Sequence, residues 1–194
     1  MKRITVFCGS SLGTETEYQS QATLLGQTLA KNNIGLVYGG AKIGLMGAVA
    51  DGALSEGGEV IGVIPEFLQT KEVGHDRLTE LIVVDNMHER KTKMHELCDG
   101  FIALPGGFGT MEELFEILTW AQLGLHKKPI ALLNTNGFYD PLIAMIQTMV
   151  DNDFLKELNQ EMLLVNDSID QLLSDMMNYQ APTVGKWIHK ESEL

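Results

Sequence analysis

Three glycine-rich turns and one short basic helix hold the residues whose types and spacing could do chemistry. The fullest is Leu104-Pro105-Gly106-Gly107-Phe108-Gly109-Thr110-Met111-Glu112-Glu113, followed by apolar Leu114, Ile117, Leu118 and Ala121 at helical spacing. A strand, a turn of small residues and a helix start, in that order, present unpaired backbone N–H groups to an anion such as phosphate. The same letters allow another reading. Thr110-x-x-Glu113 is a capping box, in which Glu113 bonds back to the Thr110 amide and does no chemistry. Three glycines and a proline exceed what a cap requires. Glu112 falls about 100° from Glu113 around a helix, so the two carboxylates need not share a role.

The turn Tyr38-Gly39-Gly40-Ala41-Lys42-Ile43-Gly44-Leu45-Met46-Gly47 lets backbone approach a ligand closely. Gly39 and Gly44 have Walker A spacing, but Leu45 and Met46 stand where Lys and Ser/Thr are needed, which excludes an ordinary P-loop. A dinucleotide fingerprint should follow the first strand, and Gly9-Ser10-Ser11 does not supply one. These two exclusions favour a phosphorylated mononucleotide over NAD or a triphosphate. Taken alone, Gly9-Ser10-Ser11 reads equally well as a tight turn before a capped helix.

In Asn86-Met87-His88-Glu89-Arg90-Lys91-Thr92-Lys93-Met94-His95-Glu96-Leu97, the residues Met87, Met94 and Leu97 mark an apolar face that Arg90 and Lys91 share. An inward-facing Arg at a strand's carboxyl end needs an anionic partner, either a protein carboxylate or a ligand phosphate. The histidines have no metal-ligand spacing: His88 and His95 are seven apart, and His75, His126 and His189 are isolated. No metal site is expected. The methionines sit mostly at core spacings.

These turns need a scaffold that sets them side by side. Apolar runs near Arg3–Cys8, Gly35–Tyr38, Val60–Ile64, Leu81–Val84, Phe101–Leu104, Ile130–Leu133 and Leu163–Val165 read as strands. Helical patterns lie between them at 17–32, 44–56, 88–98, 110–124, 139–151 and 168–178. Continuous runs such as Val60-Ile61-Gly62-Val63-Ile64 and Phe101-Ile102-Ala103-Leu104 lack the alternation of a half-solvated sheet, so these strands should be covered on both faces. The expected fold is α/β, Rossmann-like and doubly wound, a mainly parallel sheet of seven strands in a single domain over 1–182, with a polar tail over 183–194. Ligands in such sheets sit beyond the carboxyl ends of the strands, where these turns fall. Pro65–Thr79 is the one long connection without clear periodicity.

A net charge of −12 argues against a nucleic-acid partner, since phosphate neutralisation needs clustered cations. An anionic ligand must therefore be held locally, by backbone amides. Cys8 and Cys98 lie in apolar runs and read as reduced core thiols, which suits a reducing cytosol. The apolar run after Met1-Lys2-Arg3 is too short for a signal peptide, and no stretch approaches the ~18 apolar residues of a membrane span. A cytoplasmic protein without membrane attachment is expected.

Pro105–Glu113 fits P-G-G-x-G-T-x-x-E, and Met87–Lys91 reads M-H-E-R-K. Together the two segments resemble the LOG family, the cytokinin riboside 5′-monophosphate phosphoribohydrolases, long described as lysine decarboxylases. The resemblance runs over nearly the whole chain, through Gly44-Leu45-Met46-Gly47 to Trp120-Ala121-Gln122-Leu123-Gly124. It implies a homodimeric hydrolase that splits the N-glycosidic bond of an adenine-type nucleoside 5′-monophosphate, without metal or organic cofactor. By motif match Glu113 and Arg90 are the catalytic pair, and Gly106, Gly107, Gly109 and Thr110 cradle the 5′-phosphate. Met87 and Lys91 border the nucleotide, with Ser10 and Gly40 near it. Ala41 departs from the pattern, since many relatives carry glycine there, and alanine suits the position only at negative φ.

Two other activities are separable from this one. A lysine decarboxylase would need pyridoxal phosphate on a lysine in an apolar pocket, whereas Lys42, Lys91 and Lys93 have polar neighbours. A nucleotide carrier on the same fold, as in proteins similar to molybdenum-cofactor carriers, would keep the glycine-rich turns and dispense with Glu113 and Arg90. Whether the base is adenine or an N6-substituted adenine depends on pocket volume, which is not written in the sequence.

Overall fold

The computed structural model describes residues 1–69 and 74–183. Seven strands, β1 (Arg3–Phe7), β2 (Gly35–Tyr38), β3 (Val60–Pro65), β4 (Glu80–Val84), β5 (Gly100–Ala103), β6 (Ile130–Leu133) and β7 (Leu163–Asn166), form one sheet in the order β4-β3-β2-β1-β5-β6-β7. Every neighbouring pair is parallel. This is the expected doubly wound, Rossmann-like α/β architecture.

The continuous apolar runs are explained by which face each residue takes. Ile102 and Leu104 point into one cluster with Leu25, Val49 and Leu172, while Phe101 and Ala103 point into a second with Met94, Leu114 and Ile117. Successive strand residues face opposite sides, so a strand buried on both faces has no polar positions to spare. Helices α1 (Thr16–Lys31), α2 (Gly44–Ser55) and α8 (Ile169–Asn178) cover the first face. The second is covered by α4 (Met87–Glu96), α5 (Phe108–Gln122) and α6 (Asp140–Asp151).

Two short helices, α3 (Glu66–Gln69) and α7 (Glu157–Gln160), and a 3-10 turn at Thr135–Gly137 add to the six expected helices. At one turn each they are too short to show a period. The connection 65–79 starts with α3, and Gly74 forms an antiparallel bridge to Ala41. Residues 70–73, His189 and all of the expected tail except residue 183 lie outside the described residues.

An aromatic cluster joins α4 and α5 to the sheet. The His95 ring stacks on Phe101 at 5.7 Å, meets Trp120 edge-on at 5.3 Å and lies 5.0 Å from His126. His95 Nε2 is buried with no hydrogen-bond partner. Burial, then the charges of Lys128 and His126, push His95 down to about 4, and burial lowers His126 as well. Both rings are therefore held neutral in the native state, whereas in the unfolded chain they protonate near pH 6.5. Their contribution is intact above pH 6.5 and is lost as pH falls towards 4. Melting temperature is expected to drop between pH 7 and pH 4.5, and His95→Phe should flatten that slope; equal slopes in both proteins would show that the cluster has no such role.

Candidate active site

The sheet order reverses between β1 and β5, so the turns that follow them flank the topological switch point. Backbone contacts join these turns to the one after β2. Gly9 N–H donates to Pro105 O at 3.0 Å and Leu45 N–H to Gly9 O at 3.0 Å. Gly44 has φ +60°, and a Cβ there would fall on the backbone of Ser10 and Ser11. Above them lies a cleft of about 270 Å³, walled by Cys8, Gly9, Ser10, Gly39, Met46 and Leu68 on one side. Val6 and Phe7 of β1, Met87, Arg90 and Met94 of α4, Gly107, and residues 108–110, Glu112 and Glu113 of α5 complete it.

Helix α5 begins two residues earlier than the sequence suggests. Gly107 is its N-cap, in extended conformation, and Met111 N–H makes a 3.1 Å bond to Gly107 O. The amides of Phe108, Gly109 and Thr110 therefore precede the first intrahelical bond. A Cβ on Gly107 or Gly109 would meet nothing within 4 Å, so this end of the helix is open to a ligand. Thr110 sits inside the first turn, buried against Gly106. No hydrogen bond joins Glu113 to the Thr110 amide among the described residues, so the capping box is not formed. Side-chain capping does occur at α4, where the N-cap Asn86 accepts through Oδ1 from Glu89 N–H at 3.0 Å and Glu89 Oε2 accepts from the N–H of the preceding Asp85 at 2.9 Å.

Glu113 reaches across to α4 instead. Its Oε1 lies 3.2 Å from Arg90 Nη1, with the two side chains 10% and 11% exposed. Arg90 Nε donates to Val63 O at 3.1 Å, which fixes the plane of the guanidinium. Gly39 makes room for it, because a Cβ at that position would overlap Arg90 Nη2 and lie 2.9 Å from Met46 Sδ. Burial pushes Glu113 up to about 7 although Arg90 pulls it down; Glu112 and Glu116 push in the same direction as burial, and Lys91 opposes them. A carboxyl poised there can exchange a proton near neutral pH. Cys8 adds no nucleophile, since burial holds its thiol far above the ordinary range.

Of the residues singled out by sequence, Glu113, Arg90, Gly107, Gly109, Thr110, Met87 and Ser10 meet at the cleft. Gly106 lies beneath Thr110. Gly40 is outside the lining, its carbonyl accepting from His75 N–H at 3.1 Å. Lys91 is outside it too, with Nζ 2.6 Å from Glu112 Oε1 and 2.9 Å from Glu116 Oε1. Positive φ occurs only at Asn33, Asn136 and Asp153 among described non-glycine residues, so Ala41 meets the condition that alanine requires. The sequence did not single out Leu68 or Phe108. Phe108 is 97% exposed at the lip of the cleft, where it also borders an apolar pocket with Met111, Phe138 and Leu142. No group of three or more His, Cys, Asp or Glu among the described residues could hold a metal, and no described helix is long and apolar enough to cross a membrane.

Residues 46–176 match the protein-family model described as "Possible lysine decarboxylase". The chain is 46% identical over 178 residues to the cytokinin riboside 5′-monophosphate phosphoribohydrolase LOG of Oryza sativa subsp. japonica, covering 92% of this chain and 74% of that one. It is 49% identical over 170 residues to the cytokinin riboside 5′-monophosphate phosphoribohydrolase of Rhodococcoides fascians, covering 87% and 86%. The chain belongs to the LOG family. Its fold extends beyond that family. The molybdenum cofactor binding protein of Rippkaea orientalis superposes with a TM-score of 0.68 at 22% identity, covering 92% of this chain and 97% of that one. The Moco carrier protein of Chlamydomonas reinhardtii does so with a TM-score of 0.67 at 22% identity, covering 91% and 95%.

Proposed function

We propose that this protein hydrolyses the N-glycosidic bond of an adenine-type nucleoside 5′-monophosphate, releasing free base and ribose 5-phosphate. The observation that carries the reading is the buried Arg90–Glu113 ion pair facing the same cleft as the open N-terminus of α5. Glu113 lies five residues into that helix, ~8 Å along its axis from Phe108, a separation matched to a ribose held by its 5′-phosphate. The amides of Phe108, Gly109 and Thr110 hold the phosphate, with Gly106 and Gly107 shaping the turn.

The C1′–N9 bond breaks with its electron pair passing to the base, through an oxocarbenium-like state. The ionised carboxylate of Glu113 stabilises that charge and takes a proton from the water that adds to C1′. The departing base gains a proton, so one water is consumed. Arg90 holds Glu113 and the sugar in register. Met87 and Ser10 border the nucleotide, and Gly40 acts through the turn it shapes.

The family model's description suggests pyridoxal phosphate, and the residues do not fit it. Among the described residues no lysine lines the cleft: Lys91 is paired with Glu112 and Glu116, Lys42 lies 3.8 Å from Asp76, and Lys93 lies 3.5 Å from Glu96. A Schiff base requires a lysine free to reach the cofactor.

Residues 1–182 act as one domain on this reading, and the protein works in the cytoplasm as a homodimer. Two free buried cysteines support a reducing compartment. Phe115 and Met145, 37% and 53% exposed, support a partner surface. Sedimentation at micromolar concentration is expected to give a dimer, and a monomer would refute it.

The function is tested by incubating the protein with AMP and, separately, with N6-isopentenyladenosine monophosphate, and separating the products by chromatography. Free base and ribose 5-phosphate are expected, and the ratio of rates identifies the preferred base. Bound nucleotide without release from either would overturn the hydrolase in favour of a carrier.

A further inference from the structure

We propose that Lys91 is a positioning residue: by pairing with Glu112 and Glu116 it locks α4 to α5 and keeps the neighbouring carboxylate of Glu113 ionised against Arg90. This inference rests on the hydrolase reading above.

Helix α4 directs two consecutive cations at α5. Arg90 meets Glu113 at 3.2 Å, and Lys91, about 100° further around the helix, meets Glu112 at 2.6 Å and Glu116 at 2.9 Å. Glu112 and Glu116 are four apart on α5, so they face one another, and like charges at that spacing repel. Three carboxylates thus crowd one turn against two cations. The Lys91 side chain is 10% exposed. Burial works against its charge, yet the bonds to Glu112 and Glu116 outweigh it and hold its pKa above the ordinary lysine value.

Among the described residues, the charged and titratable groups acting on Glu113 are few. Arg90 and Lys91 face it from α4, Glu112 and Glu116 from its own helix, and Cys8 from the end of β1. The Cys8 thiol stays neutral, because burial raises it. Removing Lys91 leaves one cation for three carboxylates. Glu113 is the most enclosed of the three, so it is the one whose ionisation suffers first.

The test is the pH dependence of kcat/KM for base release from AMP, for wild type, Lys91→Met, Lys91→Arg and Glu116→Gln. Substrate ionisation is common to all four, so differences between them report the protein. The wild-type rate is expected to rise with pH through about 7 as Glu113 ionises. Lys91→Met should move that midpoint up by roughly one pH unit, with the rate recovering at high pH. Lys91→Arg should keep the wild-type midpoint, and Glu116→Gln should lower it. A uniform loss at every pH in Lys91→Met, or a raised KM with no change of midpoint, overturns the proposal and returns Lys91 to a packing or ligand-contact role. If wild type releases no base, the hydrolase reading fails on its own account. Titration of the Glu113 carboxyl by 13C NMR in the same variants still decides whether Lys91 sets its ionisation.

Discussion

Glu113→Gln is expected to abolish base release, with a loss in the ~10²–10⁴-fold range of a group that transfers a proton in the transition state. The amide is nearly isosteric and cannot carry the negative charge that an oxocarbenium-like state demands. Fold stability should respond differently. Since Glu113 forms no capping box, no cap is lost, and at pH 5 the variant should lie within about 1 kcal/mol of wild type. The sign of the pH dependence follows from the raised folded value of about 7 against an unfolded value of 4.5. Between those values the native state binds the proton more tightly than the unfolded chain does, so wild type loses stability as pH rises through this window. Glutamine has no such dependence. The variant is therefore expected to gain on wild type between pH 5 and pH 8, as read by melting temperature at both values. A variant with wild-type activity and a lower melting temperature would assign Glu113 a purely structural role.

How far the site was legible can be followed through individual residues. The strand, turn and helix around Pro105–Glu113 are readable because glycines and a proline interrupt an apolar run in a fixed order. The start of α5 is less so. Thr110-x-x-Glu113 satisfies a local capping rule, and what decides against it is tertiary: Glu113 finds a buried cation 23 positions upstream, while Gly107 takes the cap. Arg90 was identifiable as needing an anion, because its place on an apolar helix face implies burial. Which anion depends on the crossing of α4 and α5, which no local pattern encodes. Lys91 shows the same gap, since the two carboxylates it pairs with lie on α5 and no pattern local to α4 names them. Gly39 had a signal in the glycine-rich turn, though its purpose, space for the Arg90 guanidinium, appears only once α4 is in place. The sheet was the most legible part, because residues buried on both faces leave the inner strands with uninterrupted apolar runs.

Arg90→Ala separates the two things this pair does. Activity is expected to fall by about 10²–10³-fold or more, the cost of removing one preorganised electrostatic group from an enclosed site. The effect on stability should depend on pH. At pH 5 Glu113 is already protonated, so the loss is mainly the hydrogen bond from Nε to Val63 O, about 1 kcal/mol, with the packing of the side chain besides. At pH 8 wild-type Glu113 is ionised against Arg90, whereas in the variant only Lys91 still pulls its pKa down against burial, Glu112 and Glu116. The native variant must then either hold a proton against the solvent pH or carry an uncompensated buried charge, for which the limiting cost is ~3–5 kcal/mol. Destabilisation is therefore expected to grow from pH 5 to pH 8, and denaturant unfolding at the two values measures it. Arg90→Lys provides the control, because an ammonium restores the charge but not the planar fork that serves Val63 O and Glu113 together. It should recover most of the pH 8 stability and little of the activity. Stability and activity recovering together would mean that charge alone is needed at this position; stability recovering without activity would mean that the geometry of the guanidinium, held by Val63 and given room by Gly39, is what the reaction uses.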